Sequence, residues 1–153
     1  MVNKIKKENN SLELLTYCGL YCGACPSYHR ETCLGCRSDD HNQKRTSKWG
    51  CKIRDCCIDI KEVLYCGQCS DFPCKIISKK LIDSHPNDQR FYYRHKIPKN
   101  MKEISNLGVS QWVLKQRNKW ECKTCGEGVV SFYNYECSSC GKEYNSDNKT
   151  EVN

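Results

Sequence analysis

Long apolar runs are missing from this 153-residue chain: only 38% of its residues are hydrophobic, and no stretch approaches the roughly 18 consecutive apolar residues that a membrane-spanning helix needs. The chain is therefore not expected to cross or engage a membrane, and an ordinary apolar core should be thin. The first ten residues are polar and lysine-rich. They lack the apolar stretch and small-residue cleavage site of a signal peptide, which predicts a cytoplasmic protein with reduced thiols. Also missing are a Gly-rich phosphate loop, a His-Glu-x-x-His helix, a nucleophile elbow and a paired-carboxylate pattern. With those signatures absent, the expectation is a binding or structural protein rather than an enzyme of a common class, and no catalytic residue is assigned.

What the chain has instead is 15 cysteines. That density signals either a disulfide scaffold or a set of metal sites. The odd total argues against complete disulfide pairing, and ten of the cysteines stand in five Cys-x-x-Cys pairs: Cys22/Cys25, Cys33/Cys36, Cys66/Cys69, Cys122/Cys125 and Cys137/Cys140. Two thiolates three residues apart in a tight turn can point at one ion while free backbone amides stabilise the sulfurs. The spacing predicts metal, with zinc favoured because structural four-cysteine sites are mostly zinc. All-cysteine sites are closed and electron-rich, which makes them poor Lewis acids and again points away from catalysis.

The C-terminal site is the firmest local expectation. Cys122-Lys-Thr-Cys125-Gly126 and Cys137-Ser-Ser-Cys140-Gly141 repeat one unit, with 11 residues between Cys125 and Cys137. The glycine after each pair permits positive φ, and Val129, Val130, Phe132, Tyr133 and Tyr135 read as strand formers, so a zinc-ribbon-like pair of hairpins is predicted. Rubredoxin-type iron uses a similar pair of knuckles, so ligand spacing alone does not name the metal.

Upstream, Ser11 with Leu12, Leu14 and Leu15 predicts a short capped helix. Ile53, Cys56, Cys57, Ile60, Val63 and Leu64 fall at helical spacing, which buries one of the two adjacent cysteines. Asp71 before Pro73 reads as a helix start ahead of Ile76, Ile77 and Leu81, Pro98 and Gly108 bracket a further helix, and Ser110 is expected to cap another carrying Trp112, Val113 and Gln116.

Cys18-Gly-Leu-Tyr-Cys22-Gly-Ala-Cys25 has the spacing by which radical S-adenosylmethionine enzymes hold a four-iron cluster, but the βαβ patterning of those barrels is missing. Tyr17 to Pro26, Cys33-Leu-Gly-Cys36-Arg37, Cys51-Lys-Ile-Arg54, Cys56 and Cys66-Gly-Gln-Cys69-Ser-Asp-Phe-Pro-Cys74 together resemble domain-of-unknown-function family 3795, and Asn106 to Trp112 running into the tail resembles its longer members. The family's activity is not established, and the resemblance implies only metal binding. Its cysteine pattern falls on Cys18, Cys22, Cys25, Cys33, Cys36, Cys51, Cys56, Cys66, Cys69 and Cys74, leaving Cys57 as the expected free, buried thiol. Spacing groups Cys33, Cys36, Cys51 and Cys56 as one site and the outer six as another, with His29 or His41 available to complete a set. An iron–sulfur cluster at these N-terminal cysteines is the rival to zinc.

Between the cysteine-rich ends, residues 75–120 carry 11 Lys/Arg against 3 Asp/Glu, whereas the remainder sums to about −1. Arg90, Tyr92, Tyr93, Arg94, Lys96 and Lys99 interleave cations with aromatics as nucleic-acid surfaces do; the alternative is that the rings enter the core and the cations form its solvated rim. The fold expected is a small metal-stabilised α+β protein. Residues 1–82 form its cysteine-rich metal-binding domain with short helices, 83–119 a basic helical connection, 120–144 the zinc-ribbon-like module and 145–153 a disordered tail. Two or three zinc ions are expected, in a structural or adaptor module whose partner is a protein or a nucleic acid; an iron–sulfur or rubredoxin-like redox protein and a small metalloenzyme are the alternatives. Nothing in the sequence sets the oligomeric state.

Overall fold

The computed structural model describes residues 12–38, 40–44 and 46–144. The Ser11 cap and the expected disordered tail lie outside these residues. Among the described residues the α-helical segments with both ends in view are α1 (Pro26–His29), α2 (Lys52–Asp55), α3 (Lys75–Ile77), α4 (Tyr92–His95), α5 (Ile97–Leu107) and α6 (Val109–Trp120). Short 3-10 turns and two π-helical turns, Cys56–Ile60 and Ser78–Ile82, fill much of the remainder. None of the described helices is long and apolar enough to cross a membrane.

The helices α5 and α6 follow the sequence signals closely. Pro98 occupies the first turn of α5, where its missing N–H costs nothing. Gly108 ends the helix at φ +83° and ψ +161°, a region essentially restricted to glycine. Ser110 is not the cap of α6, which begins at Val109 directly after Gly108. Trp112, Val113, Gln116 and Trp120 form its buried stripe, as the periodicity predicts. Because no neighbouring atom crowds a Cβ at Gly108, Gly108→Ala isolates the backbone effect: it is expected to cost about 1–3 kcal/mol in chemical denaturation.

Two other helix expectations hold only in part, for identifiable reasons: Cys57 is the buried one of the adjacent cysteines, and Ile76, Ile77 and Leu81 do lie in helical turns. After α2 the chain widens into a π turn, which breaks the 3.6-residue register, so Ile53 and Cys57 are buried whereas Ile60 is 72% and Leu64 51% exposed. Asp71 caps nothing; its carboxylate pairs with Lys61 at 2.7 Å, and α3 begins at Lys75 after Cys74.

The expected α+β class is overturned. Among the described residues there is no strand and no sheet, only the isolated antiparallel bridges Leu15 to Tyr21, Glu121 to Val129, Val130 to Cys137, and Glu136 to Glu143. The tail cannot extend into hairpins because the run Val129–Tyr135 is broken by a turn. Tyr135 N–H donates to the Ser131 carbonyl at 2.8 Å, and Tyr135 takes φ +56°. Its apolar residues serve the core rather than a sheet: Phe132 stacks on Tyr93 with centroids 4.5 Å apart and meets Trp120 edge-on at 6.3 Å.

One hydrophobic cluster draws on every region of the chain, from Leu15, Tyr21 and Ala24 through Ile53 and Ile77 to Ile104, Trp112, Val130 and Phe132. Polar stitches hold the segments in register. Arg37 donates to the Leu15 carbonyl at 2.7 Å and to the Leu64 carbonyl at 2.5 Å while lying 4.2 Å from the Tyr17 ring centre. Asn100 on α5 donates to Gly19 O at 2.9 Å, and Phe132 N–H donates to Ala24 O at 3.2 Å, which ties the tail to the first cysteine loop.

Candidate metal centre

The two Cys-x-x-Cys-Gly units of the tail bring four sulfurs together. Cys122 Sγ lies 3.7 Å from Cys140 Sγ, and Cys125 Sγ lies 3.7 Å from Cys137 Sγ; all four are within 4.8 Å of one another. A tetrahedron with bonds of about 2.3 Å to zinc has edges of roughly 3.8 Å, so the sulfurs already stand at a ligand spacing. Each knuckle is built by its glycine. Gly126 N–H donates to Cys122 O at 2.9 Å and Gly141 N–H to Cys137 O at 3.1 Å, at φ of +73° and +75°. These turns aim amides at sulfur: Gly128 N–H reaches Cys125 Sγ, and Ser139 and Cys140 N–H reach Cys137 Sγ, each at 3.4 Å. The arrangement suits a closed metal-thiolate site.

The electrostatics favour thiolate at two of the four positions. The Tyr144 hydroxyl, 3.1 Å from Cys122 Sγ, is the main cause holding that thiol down at about 5. At Cys137 burial pushes the thiol up, but the amides of Cys140 and Ser139 outweigh it and the net shift is downward. Tyr144 was not among the expected site residues; no local motif marks a hydroxyl reaching across 22 residues to Cys122. It also accepts from Thr124 N–H at 3.2 Å, so it fixes the first knuckle as well as its sulfur. Tyr144→Phe is expected to weaken metal binding at these four sulfurs about tenfold, as outer-shell changes do. Because the Cys122 thiol returns toward its ordinary value of 9.0, acid-driven metal release should begin at higher pH than in the parent, measured by chelator competition across a pH series.

The N-terminal cysteines are arranged differently. Six of them, Cys18, Cys22, Cys25, Cys33, Cys36 and Cys51, line one cavity of about 320 Å³. Burial, reinforced by neighbouring thiolates, pushes the Cys18 thiol up to about 12 and Cys36 up to about 11, so loading a metal there must displace protons. Cys56 lies off the cavity and within electrostatic reach of Cys57, Cys74 and Cys69. It does not join Cys51 because the two flank α2, and five residues of helix turn a side chain by about 140°. Cys66 Sγ is 3.5 Å from Cys57 Sγ, and Cys57 is buried at 2% exposure. Neither histidine faces the cavity: His29 Nε2 contacts Gly23 O at 2.5 Å, and His41 lies 4.7 Å from the Trp49 ring. Among the described residues, no other trio of cysteine, histidine or carboxylate ligand atoms comes within 4.8 Å, and no cysteine is in a disulfide.

A second residue that the sequence reading missed is Lys48. It is 6% exposed, and its ammonium donates to Cys33 Sγ at 3.2 Å, to Gly35 O at 2.9 Å and to Gln43 Oε1.

The basic segment divides its residues between core and surface. Tyr93 is buried against Phe132 and Tyr133, so its ring is occupied by the core. Arg94 donates to the Tyr93 hydroxyl at 3.1 Å and lies 4.6 Å from the Phe91 ring centre, while Arg90 pairs with Asp88 at 2.7 Å. Tyr92 sits 5.8 Å from His95, ring centre to ring centre. Lys96, Lys99 and Lys115 lie within electrostatic reach of Lys119 on α6; desolvation, then the like charge of Lys99, lowers Lys119 to about 8 despite Glu103, whose carboxylate pairs with Lys115 at 3.2 Å.

Comparison with known proteins finds no match among curated proteins or solved structures. A family match spans all ten cysteines expected from the resemblance and stops short of Asn106–Trp112 and of the tail. Residues 14–79 match the family described as Protein of unknown function (DUF3795), and in that cysteine-rich part the chain is similar to it.

Proposed function

We propose that this chain is a zinc protein in which Cys122, Cys125, Cys137 and Cys140 hold one structural ion, and that it works as a binding or adaptor module. The observation that carries this reading is the approach of four sulfurs within 4.8 Å, with N–H groups already directed at two of them. Such a site leaves no position for substrate. Its load is structural, since the knuckles flank the segment that delivers Val130, Phe132 and Tyr135 to the core. Elemental analysis of protein purified without oxygen tests it: about one zinc per chain should be lost when Cys140 is replaced by serine, and an unchanged count would refute the assignment.

An anionic partner, with nucleic acid foremost, is the reading we attach to the basic surface. The grouping of Lys96, Lys99, Lys115 and Lys119 supports it, because cations on α5, on α6 and at the residue that opens α5 can together neutralise several phosphates. Binding should weaken steeply with salt, and Lys96→Glu with Lys99→Glu should reduce affinity for single-stranded nucleic acid at least about tenfold at low salt. Affinity unchanged by that double substitution would remove the surface from consideration.

A further inference from the structure

We propose that the six-cysteine cavity seats a polynuclear iron–sulfur cluster, with Cys18, Cys22 and Cys25 as ligands from the first loop and Cys36 from the second. Spacing is the first argument. The tail shows how this chain arranges sulfurs for a single ion, with edges of 3.7 Å converging on a point. Around the cavity no three described ligand atoms come within 4.8 Å of one another, although six cysteines share the wall. A lone zinc ion would need those thiolates drawn together to about 3.8 Å. A cluster distributes its thiolates over several irons and fills the volume between them.

Volume and lining agree with this. The cavity encloses about 320 Å³, and its walls include Leu20, Tyr21 and Phe132, giving the sheltered, low-dielectric surroundings that tune such centres. A single ion would leave most of that space unfilled.

Charge and hydrogen bonding supply the third argument. A cluster carrying four thiolates is anionic, and the cavity holds the buried Lys48 ammonium 3.2 Å from Cys33 Sγ. Cys36, which lines the same cavity and lies within electrostatic reach of both Cys18 and Cys22, is the fourth ligand. The Thr16 hydroxyl lies 3.1 Å from Cys18 Sγ, a further polar contact to a ligand sulfur.

The inference is independent of the zinc assigned to the tail, so iron and zinc are read separately. The full chain, purified and reconstituted anaerobically with equal parts ferrous and ferric iron and with sulfide, so that no outside oxidant is needed, should take up about four irons and four sulfides per chain and turn brown. Cys18→Ser and Cys36→Ser should each lower bound iron and visible absorbance at least fivefold while keeping the tail zinc, which reports on the tail, and the parent's helical circular dichroism, which reports that the rest of the chain still folds. Cys122→Ser should keep the iron and lose the zinc. Iron that loads without sulfide, iron unaffected by the two cavity substitutions, or a colourless protein with zinc in the cavity would overturn the proposal. Sulfide dependence is read on the unaltered protein, so the test stands even if a variant misfolds.

Discussion

Replacing Cys122 with serine should release the zinc assigned to the tail and loosen residues 122–144 while leaving the N-terminal cavity thiols in place. Cys122 is fully buried and holds one corner of the sulfur tetrahedron, opposite Cys140 at 3.7 Å. Losing one of four ligands should exceed the roughly 10–100-fold affinity loss typical of an outer-shell change. Structural zinc contributes about 10–16 kcal/mol to the folding of isolated finger peptides. Here the aromatic core shares the load, so the expected result is local unfolding, seen as lost amide protection over 122–144, rather than collapse of the whole chain. Protein that kept its full metal complement and tail protection would contradict the structural role.

Phe132→Ala should destabilise the protein by about 3–5 kcal/mol, the cost of emptying a large aromatic from a packed core. The ring is 5% exposed and joins three parts of the chain: it stacks on Tyr93 from α4, meets Trp120 at the end of α6, and borders the six-cysteine cavity. Denaturation with the tail zinc retained would give the core contribution separately from the metal. A loss below about 1 kcal/mol would mean that the tail and the helices do not share a core.

The tail also shows why part of the fold was not legible in sequence. Its alternating apolar residues satisfy the strand pattern, but Phe132 and Tyr135 are required by the core formed with Tyr93 and Trp120, and a turn between Ser131 and Tyr135 brings them there. Long-range packing outweighed a local propensity, as it commonly does for short β segments. Helices α5 and α6 were legible because their punctuation is backbone chemistry: Pro98 cannot donate within a helix, and only Gly108 adopts the angles that end one and start the next.

The candidate sites divide along the same line. Cys122, Cys125, Cys137 and Cys140 could be read as one set because each pair and its glycine form a local turn, and only one approach between the two turns was left to chain folding. The ten N-terminal cysteines of the family pattern offered too many partitions for spacing to resolve; α2 places Cys51 and Cys56 on different sides, and the packed core brings Cys18, Cys22 and Cys25 to the wall shared with Cys33, Cys36 and Cys51. Lys48 and Tyr144 act on sulfurs 15 and 22 residues away, so no motif announces them. Sequence alone therefore determined the paired thiols of the chain, its two knuckles and the helices bracketed by Pro98 and Gly108, all of which arise within a few bonds along the backbone. The tertiary structure decided the absence of strands among the described residues, the partition of the cysteines and the polar groups that touch them, because those depend on which distant residues compete for one small core.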